Sequence, residues 1–112
     1  VSARNETLLW IAQRASAAVL ALCVVVHLAT IVYAVRGGLS AAEILARTQG
    51  SLGWLAFYAV FVFAAAIHVP IGLRPILAEW LGWRSPSRDA AALAFAALLV
   101  ALGLQAVVAV FV

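Results

Sequence analysis

The chain has 112 residues, 68% of them hydrophobic and only 10% charged, with a net charge of +3 and a mean hydropathy of +1.17. A soluble domain carries about 25% charged residues, so this composition excludes one and belongs in lipid. The positive charge is all arginine, with no lysine; no nucleic-acid module accompanies it, and on so apolar a chain it concerns topology and the pairing of bound anions.

Three continuous apolar runs, 15–35, 52–73 and 90–112, each supply about the 20 residues needed to cross a bilayer core of ~30 Å. They predict an all-α integral membrane protein, a single membrane-anchor domain over 1–112 with transmembrane helices at about 9–35, 52–80 and 89–112. The first run is too long for a cleaved signal peptide and lacks a small-residue cleavage site, so it is expected to stay in the membrane.

Arg4 and Arg14 precede the first span and Arg74, Arg84 and Arg88 follow the second, whereas the loop between them holds only Arg36 and Arg47. Arginines near span ends favour the cytoplasmic side, which predicts a cytoplasmic N-terminus. Trp10, Trp80 and Trp83 then fall at the inner interface and Trp54 at the outer one, where indoles anchor helices. The outer loop opens with Gly37 and Gly38 and continues through Ser40 to Glu43, a capping-box spacing that predicts a short surface helix over 41–48. On the inner side Ser85, Pro86 and Ser87 break the chain before Asp89, whose charge suits a helix N-terminus.

An ionisable side chain inside the hydrocarbon core costs at least a few kcal/mol unless it is paired, so it is a functional hypothesis by default. His27 and His68 are two such residues. On the first helix Ser16, Leu20 and Cys23 share a face with His27, with Gln13 at its inner end and Thr30 beyond. Cys23, the single cysteine, excludes an intrachain disulfide and a thiolate zinc site built from this chain. His68 shares its face with Phe57, Phe61, Ala64 and Gly72, small residues beside which a flat macrocycle could approach. Imidazole in a dry helical slot suits haem iron, and Arg14 and Arg74, at the inner ends of the two histidine helices, could pair with anionic propionates. The alternative is histidines hydrogen-bonded to neighbouring helices and arginines that only snorkel. Pro70 frees the carbonyl of Ala66 next to His68, and Gln105 could serve either as a histidine partner or as helix-to-helix glue.

At 1.5 Å per residue His27 lies about 13 Å from the outer end of its helix and His68 about 26 Å from the outer end of its own. The two therefore sit at different levels, and each is expected to pair with a residue of another chain, either a sister anchor subunit or a second copy, within a larger helix bundle.

The stretch His68, Val69, Pro70, Ile71, Gly72, Leu73, Arg74 resembles the H-x-x-x-G-x-R segment of the cytochrome b membrane-anchor subunits of succinate dehydrogenase and fumarate reductase. Gln13, Arg14, Ala15, Ser16 is similar to that family's H-R-x-S-G segment, with Gln13 and Ala17 standing where many members have histidine and glycine. The resemblance implies His68 as a haem b ligand, His27 as the ligand of a second, outer haem in two-haem members, and Arg14 and Ser16 as quinone-site residues, with Arg74 and Arg14 beside the haem. It also implies one or two haems shared with a partner chain, and quinone as substrate. Partners would be a flavoprotein and an iron-sulfur subunit on the cytoplasmic face, in the inner membrane of a bacterium. The chain would be the non-catalytic, multi-pass subunit of that oxidoreductase complex, inactive alone. The rival expectations are a cytochrome b subunit of another membrane dehydrogenase, and a haem-free assembly or transport component.

Overall fold

The computed structural model describes residues 2–112 and contains four α-helices: α1 (Ala3–Arg36), α2 (Ala41–Thr48), α3 (Leu52–Leu81) and α4 (Ser87–Phe111). There is no strand among the described residues. The three long helices are each long and apolar enough to cross a membrane. At 1.5 Å per residue α1 is about 51 Å long, well beyond a ~30 Å core, so its first polar turns extend past the apolar run. It starts at Ala3 rather than near residue 9 because Ser2 caps it, accepting from the Asn5 N–H, and Glu6 sits in the first turn.

Local chemistry accounts for the other ends. The turn after α1 passes through Gly38 at φ +63°, a left-handed conformation that glycine adopts without penalty. Ser40 and Glu43 then close the capping box of α2, and Ser51 caps α3 by accepting from the Trp54 N–H. α3 continues through both Pro70 and Pro75, each removing one ladder hydrogen bond, and stops at Gly82, which caps it at φ +61° with its N–H on the Leu77 carbonyl.

α3 lies between α1 and α4 and packs against both. Along α1, Gln13 meets Gly72, Ser16 meets His68, and His27 meets Tyr58. Numbers rise on one helix as they fall on the other, so the pair is antiparallel. The same holds for α3 and α4, where Val62 meets Gly103 and Arg74 meets Asp89. The start of α1 and the α3–α4 turn therefore share one end of the bundle. At the other end the Thr48 hydroxyl donates to the Val110 carbonyl at 2.8 Å and the Gly50 N–H donates to the Phe111 carbonyl at 2.9 Å. These two bonds satisfy carbonyls that the end of α4 leaves without helical partners.

The buried residues are Ser16, Cys23, Ala64, Ala92 and Val107, all small, while Leu22, Val25, Leu93 and Leu98 face outward. Helices that meet through small residues and turn their large apolar side chains outward are built for lipid or for neighbouring helices to cover.

At Gly103 α3 and α4 approach closely, since a Cβ there would lie 2.6 and 2.8 Å from the two Val62 methyls. Val62 is β-branched and stiff in a helix, so the helices must separate to admit it. Overpacking costs about 1–3 kcal/mol, against a helix-propensity gain of about 1 kcal/mol for Gly→Ala. Gly103→Ala is therefore expected to lower the thermal midpoint in detergent, whereas in a Val62→Ala background the same change should raise it. Equal effects in both backgrounds would show that the two residues do not touch.

Candidate functional site between the first and third helices

The α1–α3 contact brings chemistry together at two levels. At the inner level the imidazole Nδ1 of His68 lies 3.4 Å from the Ser16 hydroxyl oxygen, and Ser16 itself is only 5% exposed. That hydroxyl also donates to the Gln13 carbonyl at 3.0 Å, the back-bond to the preceding turn that serine makes in helices. One hydroxyl has one proton, and the shorter contact takes it. The longer contact then runs from His68 Nδ1–H to Ser16 Oγ, which leaves the lone pair of neutral imidazole on Nε2.

One turn further in, a Cβ added at Gly72 would fall 2.9 Å from Gln13 Nε2. The glycine therefore makes room for the Gln13 amide, and α1 fills the small-residue face of α3 where the sequence points to space for a macrocycle. Ala64 is likewise buried. Gln13 Oε1 is buried without a hydrogen-bond partner, and an orphaned acceptor of that kind costs about 1–3 kcal/mol. It is the feature of this level that most requires a donor from outside the chain.

The arginines divide. Arg14 is exposed, with its guanidinium 4.9 Å from the Trp10 ring centroid, and Ser16, two residues on, points the other way into α3. The structure does not bring Arg14 and Ser16 to one pocket. Arg74 donates through Nε to Asp89 at 2.8 Å, and Arg88 reaches the same oxygen at 3.1 Å. The Ser85 hydroxyl donates to the other Asp89 oxygen at 3.2 Å. Asp89 thus ties the inner end of α3 to the start of α4, and Arg74 keeps its Nη donors free of partners among the described residues.

At the outer level His27 Nδ1 lies 3.5 Å from the Tyr58 hydroxyl, and its ring meets Tyr58 and Phe61 edge to face with centroids 5.9 Å from each. The phenol has no other hydrogen-bond partner among the described residues, so it can donate to Nδ1 or accept from Nδ1–H. Beside His27 opens a groove of about 720 Å³, walled by Thr30, Tyr33, Trp54 and Tyr58, with Arg47 at its mouth 5.2 Å from the Tyr33 ring centroid.

Ser16 and His27 are separated by about 16 Å along α1 at 1.5 Å per residue, so the two histidines stand at different depths. Gln105 bonds to neither among the described residues; Gly103 and Val107 are the inward positions of α4, and Gln105 lies on the exposed face between them. Tyr58, Arg47 and the Arg74–Asp89 pair escape a reading of the sequence by periodicity. The antiparallel register supplies Tyr58, because the Ser16–His68 contact sets which residue of α3 must stand opposite His27. No cluster of three or more His, Cys, Asp or Glu able to hold a free metal ion occurs among the described residues.

Residues 1–109 match the family model of the succinate dehydrogenase/fumarate reductase transmembrane subunit. Comparison with curated proteins and with solved structures gives no match.

Replacing Gln13 by methionine keeps the volume and removes the orphaned acceptor. Gln13→Met is expected to stabilise the detergent-solubilised chain by about 1–3 kcal/mol, read as a higher thermal midpoint. A lower midpoint would mean that the buried oxygen has a partner after all.

Proposed function

The chain belongs to the succinate dehydrogenase/fumarate reductase transmembrane subunit family, and from that premise we propose that it is the haem b- and quinone-binding anchor of such a complex. Its route would carry electrons between membrane quinone and a flavoprotein/iron-sulfur unit on the cytoplasmic face. The observation that carries this reading is the inner site: a half-buried imidazole whose Nδ1 is engaged by Ser16 and whose Nε2 lone pair is available.

That donor set fits axial ligation of haem iron, for which neutral imidazole with its second nitrogen hydrogen-bonded is the usual arrangement. Bound haem would supply a one-electron relay inside the membrane. His68 is the residue of this chain that would hold the haem, and a further ligand would come from a sister anchor subunit or a second copy, because His27 is at another level. Arg74, held by Asp89 through Nε alone, can offer its Nη donors to a propionate at the inner interface. Asp89 fixes the guanidinium, so little side-chain entropy is lost when it binds.

The outer groove fits a second haem less simply. His27 can offer Nε2 only when the Tyr58 hydroxyl accepts from Nδ1 instead of donating to it, and Arg47 is the cation at the mouth. We assign His27 as the outer ligand on these terms.

For quinone, Arg14 provides an exposed cation at the inner end of α1, its guanidinium over the Trp10 ring. A quinone carbonyl gains negative charge on reduction, which a nearby cation in a low-dielectric setting stabilises. In this reading the arginine distribution puts the N-terminus on the cytoplasmic side, and with it Gln13, Arg14, His68 and Arg74 on the side of the soluble subunits.

The test is a reduced-minus-oxidised spectrum with haem quantified per chain on the purified complex. A b-type spectrum is expected, lost in part in His68→Ala; a colourless intact complex, or an unchanged spectrum in His68→Ala, overturns the assignment. Arg14→Gln is expected to lower quinone reduction by about 10²-fold with haem retained. Unchanged quinone kinetics remove Arg14 from that site.

A further inference from the structure

Ser16 sits where a quinone donor would be expected on α1 and borders an apolar groove between α1 and α3, yet its hydroxyl is already engaged within the chain. It is 5% exposed, its proton goes to the Gln13 carbonyl at 3.0 Å, and its oxygen faces His68 Nδ1 at 3.4 Å. We infer that Ser16 is a positioning residue for His68: the relay Gln13 carbonyl, Ser16 hydroxyl, His68 Nδ1–H fixes the imidazole tautomer and ring orientation and raises the basicity of Nε2. This inference rests on the haem reading above, in which Nε2 meets iron.

The direction of the relay follows from donors and acceptors. A helical backbone carbonyl can only accept, so Ser16 donates to it and must accept from the imidazole. An imidazole that donates from Nδ1 is a stronger electron donor through Nε2, and a stronger donor favours the ferric state over the ferrous. Removing the acceptor therefore raises the midpoint potential of the haem that His68 holds. The relay is rigid for a reason that the sequence supplies. Ser16 is locked by its own back-bond, and the contact lies inside the α1–α3 seam, where Gly72 and Ala64 let the helices close.

The experiment is potentiometric titration of the haem in the intact purified complex carrying Ser16→Ala or Ser16→Thr, with quinone KM measured in parallel. Ser16→Ala removes one oxygen from a small site and is expected to keep haem. At the wild-type midpoint its reduced-to-oxidised ratio should rise about tenfold, a positive shift of ~59 mV for a one-electron couple. Ser16→Thr keeps a hydroxyl able to back-bond to the preceding turn and should return the potential to the wild-type value with KM unchanged. An unchanged potential in Ser16→Ala overturns the inference, whether quinone KM rises, which would return Ser16 to the quinone site, or stays the same, which would leave it a packing residue. Loss of haem in both variants also overturns it, whereas loss in Ser16→Ala alone supports it. A wild-type complex without haem fails at the earlier step and overturns the haem reading itself, so the two failures are distinguishable.

Discussion

The antiparallel seam between α1 and α3 is the constraint on which the other features depend. In lipid, helices gain nothing from hiding leucine from leucine, and close backbone approach through small residues with a few polar contacts must hold them together. Here that approach is made at Gly72 and Ala64, and it sets a single register in which Gln13, Ser16 and His27 oppose Gly72, His68 and Tyr58. A slip of one residue would rotate each opposing side chain by roughly 100° around its helix and would part both histidines from their hydroxyl partners. The register therefore fixes at once how the helices pack and which hydroxyl each imidazole meets.

Much of the fold is legible in the sequence because its signals are local or cumulative. Three apolar runs identify three long helices by length alone, and the Ser40 to Glu43 spacing contains both hydrogen bonds of the capping box that opens α2. What is not legible is the facing of the helices. A helix apolar on every side has no amphipathic stripe to say which flank meets a neighbour, and α3 has to meet two. The small face of α3 reads equally as a slot for a flat ligand or as a seat for α1, and it is α1 that occupies it. Gln105 reads as an inward polar group because it is isolated, yet Gly103 and Val107 are the positions that turn inward. Arg74 reads as a cation awaiting an anion, and Asp89, fifteen residues further along the chain, already provides one.

The candidate site was legible in part for the same reason. His68 and His27 stand out because charge-capable side chains are rare in such helices, and they need no structure to be noticed. Their partners do. Tyr58 is one aromatic among several on α3, and only the register singles it out. Ser16 stands out as a hydroxyl but not as a buried one, and its burial is what moves it from a group that could greet a ligand to one that serves a histidine. α4 buries Ala92 and Val107, while Leu22, Leu93 and Trp80 all turn outward. A helix trio of this kind is stable in lipid and still leaves broad flanks on α1 and α4 for further helices.

The separation in depth between the two histidines completes the argument about what those further helices must bring. Levels about 16 Å apart along α1 set the two imidazoles at different depths in the bundle, so in the proposed reading each would serve a separate haem. The inner imidazole faces an acceptor that cannot become a donor, since its hydroxyl proton is spent on a backbone carbonyl. The outer one is held by a phenol that can reverse, so its availability depends on what fills the groove beside it. A partner chain that supplied a ligand at the inner level alone would complete one centre and leave the outer groove to a lipid tail or to another apolar guest. A partner related to this chain by an axis along the membrane normal would bring a histidine to both levels, and the balance at Tyr58 would then be decided by iron.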